Sequence, residues 1–84
     1  MRLVFLGRLT DLAGRGESSA AVDASLDWAG LMRLVAETCG EEVASEIVSS
    51  RVRVAMNGRL VADKGAVVAT NGDEIAFLPP VSGG

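Results

Sequence analysis

The chain contains 84 residues, of which 49% are hydrophobic, and it carries a net charge of −3. This length allows one domain with one core, and the apolar content is that of a globular protein rather than a disordered one. The eight basic residues are scattered along the sequence. Such scatter argues against a nucleic-acid-binding surface and favours a protein partner.

The cysteine and histidine content excludes several kinds of chemistry. The single cysteine, Cys39, has no partner for an internal disulfide and cannot by itself hold an iron–sulfur cluster. With no histidine, Ser-His-Asp catalysis, Cys-His catalysis and ordinary zinc sites are excluded as well. We therefore expect no metal site and no catalytic apparatus within the chain, and we expect Cys39 to be a small packing residue.

The apolar segments are too short for secretion or membrane insertion. The run Leu3–Leu6 is followed closely by Arg8 and Asp11, unlike the apolar region of a signal peptide. No stretch approaches the roughly 20 residues needed to cross a bilayer. We expect a cytoplasmic protein that does not bind membranes.

The first third of the chain predicts two strands joined by a short helical turn. Arg2–Leu6 alternates apolar side chains and reads as the opening strand, which Gly7 ends. Asp11–Gly14 is typical of a short helical turn, and a second strand is predicted at Ala20–Val22. These two strands are expected to form a hairpin.

The middle of the chain predicts two helices. The main one runs over Asp27–Thr38, with Asp27 as the N-cap and Gly40 as the stop. Trp28 shares the apolar stripe of this helix, so we expect it to anchor the core. A second, shorter helix is predicted over Glu41–Ser49.

The last part predicts three strands separated by turns. Arg51–Met56 alternates as a strand, and Asn57-Gly58 is a two-residue hairpin turn into Arg59–Val61. Asn71–Asp73 is a second turn, and Glu74–Leu78 is the last strand. Prolines then stop the ladder.

This order of elements predicts an α+β fold, in which a small mixed sheet packs against one main helix. The arrangement is that of the β-grasp (ubiquitin-like) fold, whose first and last strands are parallel neighbours. We expect a domain over residues 1–78, followed by a flexible C-terminal carrier tail at residues 79–84.

Alternation in the first and last strands predicts two apolar faces. The inward set is Leu3, Phe5, Ile75 and Phe77, and the outward set is Val4, Leu6, Ala76 and Leu78, which Leu60 is expected to join. An outward apolar patch beside the tail is what a docking surface requires. The alternative is a set of single exposed leucines, which protein surfaces commonly carry.

The tail ends on two glycines, Gly83 and Gly84. Glycines pack nothing, but they form a thin strand that fits a narrow active site and presents the terminal carboxylate at its tip. A carboxylate reacts with nucleophiles only after activation, for example as an acyl-adenylate. The tail therefore indicates a carrier that other proteins load and unload. The alternative is a frayed end of the chain. The tail follows directly on the apolar residues Phe77-Leu78, which argues against that alternative.

Three segments resemble the small subunit of molybdopterin synthase. They are the C-terminal run Phe77-Leu78-Pro79-Pro80-Val81-Ser82-Gly83-Gly84 with the Asn71-Gly72-Asp73-Glu74-Ile75-Ala76 before it, the opening Val4-Phe5-Leu6-Gly7-Arg8-Leu9 with Asp11-Leu12-Ala13-Gly14, and the hairpin Val54-Ala55-Met56-Asn57-Gly58. Gly-Gly alone is shared by all ubiquitin-like carriers. The Pro-Pro-Val-Ser that precedes it is the specific part, and related thiamine-pathway carriers usually lack it.

The resemblance implies a sulfur carrier in molybdenum cofactor biosynthesis. An activating enzyme would use ATP to adenylate the carboxyl group of Gly84, which a sulfur donor converts to a thiocarboxylate. The tail, formed by Pro80, Val81, Ser82 and Gly83, would then enter the large subunit and give sulfur to cyclic pyranopterin monophosphate. The family assembles as two small and two large subunits, and no cofactor is held stably by the small one.

The resemblance also places the contact with the large subunit on exposed strand faces. The matching positions here are Leu6, Leu60 and Leu78, of which the first and last are Phe in many members. Other interpretations stay open. The chain is also compatible with a sulfur carrier for thiamine thiazole or cysteine, with a ubiquitin-like protein modifier, or with a plain structural module.

Overall fold

The computed structural model describes residues 1–80 of the chain. These residues contain five strands and three α-helices. They are β1 (Arg2–Phe5), α1 (Arg8–Ala13), β2 (Glu17–Ser19), α2 (Trp28–Cys39), α3 (Glu41–Val48), β3 (Arg53–Met56), β4 (Arg59–Leu60) and β5 (Glu74–Leu78), with a 3-10 turn at Lys64–Ala66. The first helix begins at Arg8 rather than at the predicted Asp11, and β3 and β4 are shorter than predicted. Within these residues, no helix has the length and apolar character to cross a membrane.

The strands form one mixed sheet in the order β2-β1-β5-β3-β4. At its centre β1 and β5 run parallel, in a register that pairs Leu3 with Ile75 and Phe5 with Phe77. Every other neighbouring pair is antiparallel. The parallel pairing of the first and last strands is confirmed, and with it the β-grasp fold.

The core lies between the sheet and the helices, as the strand alternation predicts. The four inward residues Leu3, Phe5, Ile75 and Phe77 are all at most 2% exposed. The rings of Phe5 and Phe77 stack across the central strand pair, with their centroids 5.5 Å apart. The helices contribute Leu31, Val35, Val43 and Ile47, none of which is exposed to solvent. Burial of these side chains outweighs the weak intrinsic preferences of the short strands.

The second strand is not where the sequence predicts it. It runs over Glu17–Ser19 instead of Ala20–Val22, so its pairing with β1 places Ser18 opposite Leu3. The reason is geometric: α1 ends at Gly14 (φ 77°), and the chain turns back at once, with the Phe5 amide donating to the Gly16 carbonyl at 2.8 Å. Ala20 still exchanges hydrogen bonds with Met1 at this edge, both at 2.9 Å. Val22 instead exchanges hydrogen bonds with the Asn71 side chain.

The main helix begins and ends as predicted. Asp27 is the N-cap, and its Oδ1 accepts a hydrogen bond from the Gly30 amide at 2.8 Å. A Cβ at Gly30 would lie 3.3 Å from that same oxygen, so the glycine leaves room for the cap. Gly40, at φ 106°, ends α2 in a backbone conformation that other residues rarely adopt.

The two predicted turns are joined by side-chain hydrogen bonds. Asn57 and Gly58 both have positive φ (52° and 84°), as a tight hairpin turn requires. The Asn57 side-chain nitrogen, Nδ2, donates to Asp73 Oδ1 at 3.0 Å. The Asn57 side-chain oxygen, Oδ1, accepts from the Glu74 backbone amide at 2.9 Å. Asp73 Oδ2 accepts from the Thr70 amide at 2.9 Å. The β3–β4 hairpin is therefore tied to the start of β5.

We expect the substitution Asp73→Asn to make the protein less stable at neutral pH and less sensitive to acid. Hydrogen bonds, first from Asn57 and then from Thr70, lower the pKa of the Asp73 carboxyl below its ordinary value. A lowered folded-state pKa contributes stability above the unfolded-state value, about 3.9, and this stability is lost as pH falls through the folded value. Urea denaturation at a series of pH values checks this. The two stability curves should converge in acid, and parallel curves would contradict the assignment.

Candidate functional site

The outward face of the sheet carries a continuous set of apolar side chains. The outward patch consists of Val4 and Leu6 from the β1 segment, Ala76 and Leu78 from β5, Ala55 from β3, and Leu60 from β4. One row crosses four strands, because Val4 pairs with Ala76, Ala76 with Ala55, and Ala55 with Leu60. Leu6 is 40% exposed and Leu60 is 61% exposed. The three predicted contact residues thus share one face, although Leu78 is half-buried.

Charged residues border this patch. At the start of β1, Arg2 binds Glu17 (Nε to Oε2, 2.6 Å) and Glu74 (Nη1 to Oε2, 2.7 Å). Arg53 pairs with Leu78 in the β3–β5 ladder and lies at the opposite end of the face. The end from which the chain leaves the sheet is therefore apolar with an arginine beside it, while the other end carries mutually paired charges.

The chain leaves the sheet between the patch and Gly7. Pro79 follows β5 directly, is half-buried, and packs so closely on Gly7 that a Cβ there would lie 2.8 Å from Pro79 Cγ. Gly7 has φ 56° and ψ −135°, a backbone conformation that is strained for any residue with a side chain. The Leu6 amide donates to the Phe77 carbonyl at 3.2 Å, which joins the two segments at this point. The lack of a side chain at Gly7 thus allows Pro79 to pack at this position.

Sequence reasoning identified Gly7 only as the end of a strand. Its contact with Pro79 spans most of the chain length, so no local pattern reveals it. Pro80 comes next and is exposed. The other tail residues of the predicted site, Val81, Ser82, Gly83 and Gly84, lie outside the described residues, and their roles stay predictions.

We expect Gly7→Ala to destabilise the protein by about 1–3 kcal/mol, because it combines a strained backbone with the clash against Pro79. The double variant Gly7→Ala, Pro79→Ala separates the two causes. Removing the proline ring should recover the part of the loss that comes from the clash, and the backbone part should remain. Chemical denaturation of the single and double variants measures both. Additive losses in the double variant would show that Pro79 does not contact position 7 in solution.

The two other residues that the sequence singled out are part of the packing. Cys39 is half-buried against the core, and burial raises the pKa of its thiol while Arg15 acts in the opposite direction. A raised pKa leaves little thiolate, so Cys39 resembles a packing residue more than a reactive one. Trp28 also packs on the core, but it is half-buried at the margin rather than fully enclosed. Within residues 1–80, no three Asp, Glu or Cys side chains converge to hold a metal ion.

Comparison with known proteins bears on what the patch and the exit serve. The sequence matches the ThiS family over residues 3–84. SAMP1 from Haloferax volcanii, a solved structure, shares 25% identity and has a TM-score of 0.71, over 99% of this chain and 97% of that chain. No curated protein sequence matches the chain.

Two further solved structures share the architecture. A protein from Pyrococcus furiosus described as molybdopterin converting factor, subunit 1, has a TM-score of 0.70 at 22% identity, over 95% of both chains. Small archaeal modifier protein 1 from Methanosarcina acetivorans has a TM-score of 0.71 at 18% identity, over 99% of this chain and 94% of that one. At these identities the two structures support the fold alone. Because the family match spans almost the whole sequence, the chain belongs to the ThiS family of small, ubiquitin-like sulfur carriers.

Proposed function

We propose that this chain is the sulfur-carrier subunit of a molybdopterin synthase. An ATP-dependent activating enzyme joins the carboxyl group of Gly84 to AMP, and a sulfur nucleophile displaces the AMP to leave a thiocarboxylate. The tail then enters the large subunit, where the sulfur passes to cyclic pyranopterin monophosphate. ATP is a substrate of the activating enzyme, and the carrier holds no cofactor of its own.

The observation that carries this proposal is the position of the outward patch beside the tail exit. A carrier must dock on each partner while its C-terminus reaches into that partner's active site. Here Leu6 and Leu78 flank the point at which Pro79 leaves the sheet, so a protein bound to the patch lies next to the tail. The C-terminal run from Phe77 to Gly84 supports the molybdopterin synthase pathway in particular. The assembly we propose contains two copies of this chain and two large subunits.

A ubiquitin-like modifier is the second candidate, and the similarity to SAMP1 from Haloferax volcanii favours it. Both functions begin with an activated Gly84, and they differ in the nucleophile that takes the acyl group. In a sulfur carrier it is a sulfur donor, whereas in a modifier it is a lysine of a target protein. Sulfur carriers for thiamine thiazole or cysteine would differ only in the protein that receives the sulfur.

The intact mass of the protein tests the shared chemistry and separates the candidates. The protein is incubated with ATP, an activating enzyme that is active on a known carrier, and a sulfur source. We expect a mass gain equal to the replacement of one oxygen by sulfur, located at Gly84. An unchanged mass would refute the carrier function. Isopeptide adducts on cellular proteins, without a thiocarboxylate form, would favour the modifier.

We expect Leu60→Asp to weaken binding to the molybdopterin synthase large subunit by at least about tenfold, because it places a charge in an apolar contact. Leu60 is 61% exposed, so the fold should lose less than about 0.5 kcal/mol. Val68→Asp is the matched control, since Val68 is 57% exposed but lies outside the sheet. Titration calorimetry measures both affinities. Equal affinity of the two variants would remove Leu60 from the interface.

A further inference from the structure

The chain contains a single lysine, and the fold holds its amine among backbone carbonyls. Lys64 Nζ donates hydrogen bonds to the carbonyl oxygens of Ile47 (2.7 Å), Val52 (2.8 Å) and Ser49. Ile47 lies in the last turn of α3, where a helix end leaves carbonyls without intrahelical partners, and Ser49 and Val52 lie in the segment between α3 and β3. An ammonium group has three N–H bonds, so all its donors are occupied.

The surroundings of Lys64 keep the side chain in this position. The ring of Trp28 lies beside the amine, with its centroid 5.8 Å from Nζ, a distance at which the ring face attracts a cation. Lys64 also opens the 3-10 turn, which the Asp63 side chain holds by accepting from the Gly65 amide at 3.0 Å. The partly buried amine is therefore held between α3, the segment before β3 and the N-terminal end of α2.

The other strong nucleophiles of residues 1–80 are held less completely. The α-amine of Met1 donates one hydrogen bond, to the Ala20 carbonyl at 2.9 Å beside the edge of β2, and has two further N–H bonds. The thiol of Cys39 is half-buried, and burial raises its pKa. Among these groups, Lys64 is the one whose N–H bonds are all occupied.

We propose that this chain is an acyl donor whose one lysine does not act as an acyl acceptor, because Lys64 is withheld from reaction. In the corresponding side reaction, the amine of one copy would attack the Gly84 carbonyl carbon of an adenylated copy. A C–N bond would form, the C–O bond to AMP would break with its electron pair leaving on AMP, and the amine would lose a proton to solvent. Here the nitrogen must first lose a proton and withdraw from three carbonyls. This inference rests on the proposed function only for the existence of the activated tail.

Two physical effects act in opposite directions on the reactivity of the Lys64 amine. Burial lowers the pKa of Lys64, and an accessible amine with a lowered pKa would react faster than an ordinary lysine. The three carbonyls instead leave no direction free for the lone pair. We expect the hydrogen bonds to outweigh the lowered pKa, because charge-assisted hydrogen bonds are among the strongest in proteins. The rate at which the Lys64 amine is acylated tests this expectation.

Acetylation of the Arg33→Lys variant tests this within one molecule. Arg33 is exposed on α2, so the substitution adds an accessible lysine without changing the net charge. The full chain is treated with a limiting amount of N-hydroxysuccinimidyl acetate, and peptide mass spectrometry compares the two lysines. We expect Lys64 to react at least about 100-fold more slowly than the introduced lysine, a ratio set by the loss of its hydrogen bonds. In denaturant the ratio should approach one.

Equal rates in the folded protein, or faster reaction of Lys64, would overturn the inference. A second measurement uses the activating enzyme and ATP without a sulfur source. Cross-linked dimers should form through the introduced lysine of Arg33→Lys, and none should form through Lys64 in the natural sequence. Dimers linked through Lys64 would also overturn it. Failure of the enzyme to activate Gly84 would refute the proposed function alone, because the acetylation ratio does not depend on that enzyme.

Discussion

Deletion of Gly84 is expected to abolish formation of the thiocarboxylate while the fold is retained. Removing one residue draws the terminal carboxylate back by about 3.5 Å from the position it must reach in the activating enzyme. Misplacement of a reacting group by as little as 1 Å costs about 100-fold, so we expect at least that loss. The core is built from residues 3–77, so the unfolding midpoint should not change.

The control for this deletion is Ser82→Ala, which keeps the length of the chain and both terminal glycines. Intact mass spectrometry after loading, together with thermal denaturation, measures both proteins. The Ser82→Ala variant should be loaded, and the shortened protein should not. A shortened protein that is still loaded and still delivers sulfur would contradict the role of Gly84.

Phe77→Ala is expected to cause the largest loss of stability among single substitutions in the last strand. Phe77 has no exposed surface and stacks on Phe5, so truncation removes apolar burial and leaves a cavity. Losses for such a change are about 3–5 kcal/mol. A domain of this size has a total unfolding free energy of about 4–12 kcal/mol, so the variant should be close to unfolding.

Leu78→Ala provides a matched comparison one residue further along β5. Leu78 faces outward and is half-buried, so its truncation to alanine should lower the free energy of unfolding by about 1 kcal/mol or less. Its effect should appear instead as weaker binding to the large subunit. Urea denaturation measures the first difference and titration calorimetry the second. Equal losses of stability at Phe77 and Leu78 would contradict the assignment of the two faces.

Where neighbouring residues decide the structure, the sequence predicts it well. The N-cap at Asp27, the turn at Asn57-Gly58 and the bounds of β5 each depend on residues within a few positions, and each is confirmed. The two faces of β1 and β5 are confirmed too, because a strand alternates its side chains whatever its neighbours are. These local rules sufficed for the β-grasp fold and for the outward patch.

Three features depend on contacts between distant parts of the chain, and local patterns do not reveal them. The position of β2 follows from how α1 returns the chain to the sheet edge, since Glu17–Ser19 has little strand preference of its own. The contact between Gly7 and Pro79 exists because β1 and β5 are neighbours. Lys64 is a single charged residue in the sequence, and only the folded chain brings three carbonyls to its amine. Short-range preferences select turns, caps and faces, whereas the packing of distant segments selects which backbone groups meet.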